Sequence, residues 1–321
     1  MVSEIRLGPE CLLPTRATVV MRTFNRRDIL VQNLDALKHQ TWPELEVIVV
    51  DDGSSDGTAE ALSAWQAANG KAVNLQVFHE QNSGPARAYN HAVGHATGDL
   101  LIFIGDDTRP HPDFVELHMR KHAELGASCA VLGRTIWDER NTRVTPFLRF
   151  IEGTGPHFSH AALQDGHECP FTVFDGSNMS IPRDLLGSEP FNAKAFPCAG
   201  WEEIEAGYRL HRRGVPIVYH AAAVLQHNHQ YSLGRFLRWQ EELGRTSHAI
   251  FRLHPELLHN PLIAPNESGP RPPWRWLASD RLHGLWEWLD EGGVELWPNL
   301  YRALVERAFL KGRHGSDEGG A

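Results

Sequence analysis

The sequence predicts an α/β fold: a mainly parallel central sheet flanked by helices, with a helical C-terminal extension. Three observations predict it. Short apolar, β-branched runs alternate with amphipathic helical segments between residues 17 and 104. Two of these runs stop abruptly in acidic, glycine-bearing turns, Asp51-Asp52-Gly53 and Gly105-Asp106-Asp107. From Ser232 onward the pattern is mostly helical.

Taken in order, Ala17 to Met21 reads as a short buried strand. Arg27 to His39 follows as a helix with Leu30, Leu34 and Leu37 on one face. Glu46 to Val50 is an apolar run ending at Asp51-Asp52-Gly53-Ser54-Ser55-Asp56-Gly57, which predicts a strand and a polar turn. Thr58 to Asn69 is helical with Ala61, Leu62 and Trp65 inward, and Leu75 to His79 is a third strand. Pro85 suits the first turn of a helix through Ala96, where a missing N–H costs little. Leu100 to Ile104 is a fourth buried strand. Ligands of open parallel sheets bind at the carboxyl ends of strands, and both acidic clusters fall there. Beyond Pro112 the pattern loosens. Residues 113–126 and Trp201 to Arg213 read as helices, 140–175 as loop-rich, and Val215 to Tyr219 and Ala222 to Leu225 as short strands. Asn266 to Pro273 reads as a polar linker. Trp274, Trp276, Trp286, Trp288 and Trp297 are expected to pack as core between helices, with an aromatic acceptor platform or an interfacial anchor as alternatives.

Composition narrows the function classes. The net charge of −9 argues against nucleic-acid binding. Arginines cluster between Tyr208 and Arg252, read as solvated helix faces or as a basic face toward an anionic ligand or lipid surface. No run approaches the roughly 18 to 20 apolar residues of a membrane span, and Met1 to Arg16 shows no signal-peptide pattern. Cys11, Cys129, Cys169 and Cys198 form no C-x-x-C pair and no zinc-like spacing. The expectation is a cytoplasmic protein with reduced thiols, peripheral contact with the inner face of a membrane being left open.

Four segments carry candidate chemistry, each with a structural rival. Asp106-Asp107 at a strand end can hold Mg²⁺ or Mn²⁺, or can simply cap a turn. The Asp51-Asp52 cluster can accept N–H groups of a nucleobase, or serve as an Asx-rich helix entry. Glu202-Glu203 at a helix start can supply a general base, or merely complement the helix dipole. His227 and His229, two residues apart on an extended segment, can offer an imidazole to a metal, or be a polar strand end.

Together these segments resemble family 2 glycosyltransferases of the GT-A fold. Thr18-Val-Val-Met-Arg-Thr-Phe-Asn-Arg26, Val49-Val-Asp-Asp-Gly-Ser-Ser-Asp-Gly-Thr58, Asn82-Ser-Gly-Pro-Ala-Arg-Ala-Tyr-Asn90, Thr97-Gly-Asp-Leu-Leu-Ile-Phe-Ile-Gly-Asp-Asp107, Phe174-Asp-Gly-Ser-Asn-Met-Ser180 and Gly200-Trp-Glu-Glu-Ile-Glu-Ala-Gly-Tyr-Arg209 follow the family's motifs in order, over roughly residues 17–245. The resemblance implies a nucleotide-sugar-binding half at 17–112 and an acceptor-binding half at 113–231; the sequence pattern adds an N-terminal extension at 1–16, a helical region at 232–312 and a disordered tail at 313–321. It implies a nucleotide site of Thr23, Phe24, Asn25, Asp52, Arg87 and Asp106. It implies a metal (Mn²⁺ or Mg²⁺) on Asp107 and His227, with His229 as the alternative ligand. The acceptor side would comprise Gly176, Ser177, Asn178, Trp201 and Glu202, with Glu203 as catalytic base. The donor would be a nucleotide sugar, UDP-linked in the first instance, and the acceptor a saccharide, lipid-linked or small-molecule hydroxyl. The chain departs from the pattern at Arg22, where the family has proline, at Gly105, where a full D-x-D has its first Asp, and at Glu203, where Asp is usual. The leading expectation is inverting transfer. A retaining transferase, a sugar-phosphate nucleotidyltransferase and a non-catalytic sugar-nucleotide binder are the alternatives.

Overall fold

The computed structural model describes residues 14–315 except 71, 127, 154–159, 230, 262 and 266. The expected extension at 1–16, with Cys11, and the tail at 313–321 lie outside these residues apart from their inner ends, as does Asn266 of the linker. The described residues divide between two compact units, one within Met1–Ile136 and Leu163–Asn228, the other within Trp137–Ala162 and His229–Ala321.

The first unit opens as the pattern predicts: β1 (Ala17–Thr23), α1 (Arg27–Leu37), β2 (Leu45–Asp51), α2 (Thr58–Asn69), β3 (Asn74–His79), α3 (Pro85–His95) and β4 (Leu100–Ile104). These four strands are parallel in the order β3-β2-β1-β4. Alternate strand residues point to opposite faces, and both faces are covered. Val20, Ile48, Val50, Leu101 and Phe103 pack with Ala86, Tyr89 and Ala92 of α3. Val19, Met21, Val47, Val49, Ile102 and Ile104 pack with Leu30 and Leu34 of α1 and with Leu62 and Trp65 of α2. Double-sided burial is why these strands read as unbroken apolar runs.

The strands that follow add antiparallel pairings to the sheet. After β5 (Thr108–Pro110) and α4 (Phe114–Leu125) come β6 (Ala130–Trp137), then α5 (Pro146–Gly153) in the second unit, β7 (Glu168–Cys169), β8 (Asn178–Pro182), α6 (Arg183–Leu186), α7 (Glu202–Arg212) and β9 (Ile217–His227). Strand β8 runs against β4 and β6, and β9 runs against β5 and β7. The two short strands expected at 215–225 are one long strand, β9. Antiparallel pairing positions the site. Asn178 lies opposite Ile104, so the segment before β8 emerges beside the carboxyl end of β4. His227 lies opposite Thr108, next to Asp107. Cys129, Cys169 and Cys198 are free thiols. No helix among the described residues is long and apolar enough to cross a membrane.

The second unit is helical, adding α8 (Leu233–Thr246), α9 (His248–Leu253), α10 (Trp274–Leu277), α11 (His283–Glu291) and α12 (Pro298–Gly315) to α5. Helices α8 and α12 cross at backbone contact. A Cβ on Gly244 would collide with the Phe309 carbonyl, and one on Gly312 with the Glu241 carbonyl. The all-core expectation for the tryptophans is corrected. Trp286 is buried and Trp274 packs at the core margin, but Trp276, Trp288 and Trp297 are 69%, 69% and 61% exposed. The short helices α10 and α11 turn only one side inward. Within the arginine-rich stretch, Arg209 pairs with Glu205 at 2.8 Å and Arg245 pairs with Glu242, as expected of ordinary helix-face ion pairs.

Candidate active site at the carboxyl ends of the strands

Asp106 and Asp107 follow β4 directly, and neighbouring strand ends fix them. The buried Thr23 hydroxyl, at the end of β1, donates to Asp106 Oδ2 at 2.8 Å. Asn33 of α1 donates from Nδ2 to the Asp106 carbonyl at 2.7 Å. The Asn228 amide donates to the Asp107 carbonyl at 2.7 Å, tying the end of β9 to the same turn. Arg26 bridges the pair: its Nη1 hydrogen-bonds Asp107 Oδ2 and lies 3.6 Å from Asp106 Oδ1. Burial and the adjacent Asp107 charge push the Asp106 carboxyl up to about 6 against the pull of Arg26, Thr23 and Arg22.

His227 Nε2 stands 3.5 Å from Asp107 Oδ1. Adjacent ligands of an octahedral ion with bonds of about 2.1 Å are about 3 Å apart. A carboxylate oxygen and an imidazole nitrogen at this separation could together hold a divalent ion. No group of three or more His, Cys, Asp or Glu forms a ready cage among the described residues. His229, the alternative ligand, belongs to the second unit, where its ring lies 4.4 Å from that of Tyr231.

The nucleotide-side residues fall into two groups. Asn25 adopts a left-handed φ of 53°. Its Oδ1 accepts from the Ser55 amide at 2.8 Å and its amide donates to Ser54 Oγ at 2.8 Å, which locks the β1 turn to the β2 turn. This conformation leaves the Phe24 ring 43% exposed, with a face free to stack. The carboxylate of Asp52 is occupied on both oxygens, by the Ser83 amide at 2.7 Å and the Gly84 amide at 3.0 Å. It thereby fastens the entry of α3. Arg87 is solvent-exposed on the first turn of α3, whose inward face is formed by Ala86, Ala88 and Tyr89.

On the acceptor side, Glu202 and Glu203 separate clearly. Glu202 is 1% exposed, and its Oε2 accepts the Gly200 amide at 2.7 Å. It thus serves the helix start. Glu203 meets the turn before β8. A Cβ on Gly176 would collide with Tyr89 Oη and sit 2.5 Å from Glu203 Oε1, so only glycine admits this approach. Burial, with Glu202 and Asp175 nearby, pushes the Glu203 carboxyl up to about 8, opposed by Arg22 and the Gly176 amide. Ser177 donates to Asp175 Oδ1 from both its amide and its hydroxyl at 2.6 Å. Trp201, just ahead of α7, is buried.

Asn178 departs from the acceptor role the sequence suggested. It is 1% exposed, donates to Thr135 Oγ1 at 3.3 Å, and places Oδ1 3.3 Å from His118 Nε2. Its side chain joins α4, β6 and β8 inside the sheet. Sequence reading passed over Arg26, Asn33, Tyr89 and Asp175 as site residues. The adjacency of Arg26 to Asn25 and of Asp175 to Gly176 was the available signal. Nothing in the sequence marks Tyr89 or Asn33.

The comparisons with known proteins now fall into place. A family model described as glycosyl transferase family 2 matches residues 18–187, and the chain belongs to that family. A putative teichuronic acid biosynthesis glycosyltransferase, TuaG, of Bacillus subtilis (strain 168) is 27% identical over 201 residues, 60% of this chain and 78% of that protein. An uncharacterized glycosyltransferase of Rickettsia felis is 26% identical over 114 residues, 36% of this chain but 18% of its own length, so the chain spans only part of some relatives. Among solved structures, a Pyrobaculum calidifontis mannosyltransferase, PcManGT, in complex with GDP-Man and Mn²⁺, superposes with a TM-score of 0.64 at 19% identity, covering 100% of this chain and 92% of that one. Residues 1–349 of TarS from S. aureus, in complex with UDP, give 0.54 at 15% identity, covering 95% and 92%. The fold is that of GT-A glycosyltransferases.

Proposed function

We propose that this protein transfers a glycosyl group from a nucleoside-diphosphate sugar to an acceptor hydroxyl with inversion, Glu203 acting as base. The observation that carries the reading is the position of Glu203. Its carboxylate lies against the Gly176 turn, which emerges beside the carboxyl end of β4 where Asp106 and Asp107 begin. A general base works best with a pKa near the operating pH, and the surroundings of Glu203 lift it well above an ordinary glutamate.

In this reading Phe24 stacks on the base, and the turns holding Asn25 and Asp52 shape its pocket. Asp106, kept in place by Thr23, orients the donor, and Arg26 lies at hand for the diphosphate. Asp107 and His227 would hold Mn²⁺ or Mg²⁺, which supplies positive charge to the departing diphosphate. Glu203 takes the acceptor proton as the oxygen attacks the sugar from the face opposite the nucleotide. Family membership and the GDP-Man and UDP complexes of the structural neighbours support a nucleotide-sugar donor. UDP is the nucleotide we propose, with action in a reducing cytoplasmic setting.

The test is a panel of UDP-, GDP-, dTDP- and ADP-sugars incubated with Mn²⁺ or with excess chelator and scored for nucleotide release. Metal-dependent release from a UDP-sugar is expected. Release that prefers an adenine nucleotide, or that is undiminished by chelator, would overturn the donor and metal assignments.

A further inference from the structure

Arg22 sits at the second-last position of β1, in register with Val50 of β2. Its side chain is half-buried, with Nε turned inward. Its Cζ lies 5.3 Å from the centre of the Tyr89 ring. The Tyr89 hydroxyl donates to the Gly176 carbonyl at 3.3 Å, and Gly176 is the turn that meets Glu203. Arg22, Tyr89, Gly176 and Glu203 thus form one contiguous stack through α3 and the turn before β8.

The charges around that stack are unbalanced. Glu202 and Glu203 come from α7, Asp175 from the turn before β8, and Asp106 from the end of β4; Tyr89 faces Arg22 from α3. Asp106 and Asp107 already have Arg26. Among the described residues, Arg22 is the cation whose charge offsets both glutamates of α7. Two buried carboxylates side by side cannot both ionise without a nearby positive charge. We propose that Arg22 is a positioning residue that holds the Glu202–Glu203 pair in the place and charge state that base catalysis requires. The inference rests on the transferase reading above and adds to it a charged residue of β1. A purely structural Arg22, packed on Tyr89, is the rival.

The experiment uses full-length protein labelled with [5-¹³C]glutamate and titrated by NMR, with Glu203→Gln identifying the Glu203 signal. Arg22→Met is expected to raise the Glu203 midpoint by about one pH unit or more, because a stabilising cation is gone. Arg22→Lys should restore most of it. In turnover, Arg22→Met should lose about tenfold in kcat/KM at pH 7 and recover as pH rises. If Arg22→Met does not fold, Arg22→Gln against Arg22→Lys makes the same comparison. An unchanged midpoint, with activity lost equally at every pH, would overturn the proposal. Absence of any donor turnover in the wild-type protein strikes instead at the transferase reading, and the NMR arm still decides the charge coupling.

Discussion

The parallel and antiparallel halves of the sheet bring chemistry to the same edge by different routes. In the parallel half, β1, β2 and β4 run in one direction, so Thr23, Asp51 and Asp106 appear at strand ends without any further device. In the antiparallel pairings, β8 runs against β4, and β9 runs against the short β5. The Gly176 turn enters the site before its strand begins, and His227 arrives as its strand ends. The parallel half is therefore read from consecutive local signals. The acceptor half exists only once distant segments have paired. This predicts a division of labour: substitutions on the parallel side should change donor binding, and those on the antiparallel side should change turnover or the integrity of the sheet.

Glu203→Gln tests that division with the largest effect. It should cut kcat roughly 10² to 10⁴-fold with donor affinity little changed, since a positioned base acts in the transition state. The same substitution should alter stability in the opposite sense. A carboxyl raised to about 8 in the folded protein disfavours folding progressively as pH climbs from its ordinary value of 4.5 toward 8. Removing it should raise Tm at pH 8 and above while leaving acid stability alone. Loss of Tm across all pH would show that Glu203 is structural. Asp107→Asn should lower metal-supported UDP affinity by about 10² while the fold survives, as calorimetry with and without Mn²⁺ will show. Unchanged affinity would remove the metal from the parallel side. Asn178→Ala should cost about 1–3 kcal/mol by removing a buried amide that bonds His118 and Thr135. Acceptor KM should stay put. A raised acceptor KM at full stability would return Asn178 to the acceptor site.

How much was legible follows the same division. Residues 17–104 were read nearly element by element, because strands buried on both faces leave apolar runs and their ends leave Asp and Gly. Strand β6 and helix α5 were not read, since Gly133 and Arg134 break one pattern and the other lies within a loop-like composition. Strand β9 was split because Ala221-Ala222-Ala223 lacks the β-branched character of its flanks. In the candidate site, Asp106-Asp107 and Glu202-Glu203 stand out in the sequence as paired acids at a strand end and a helix start. The capping duty of Glu202, the interior position of Asn178 and the approach of Arg22 to Tyr89 depend on packing between segments far apart in sequence. The exposed tryptophans of α10 and α11 show the same limit, for composition does not tell which side of a short helix meets its neighbour.

The anomeric configuration of the product is the most direct measurement of the central claim. Donor and acceptor, once identified by nucleotide release, should be followed by ¹H NMR from the first minutes of reaction. A base at Glu203 acting on the acceptor requires the new glycosidic bond to have the configuration opposite to that of the donor. A product of retained configuration would contradict the account, whatever the activity of Glu203→Gln.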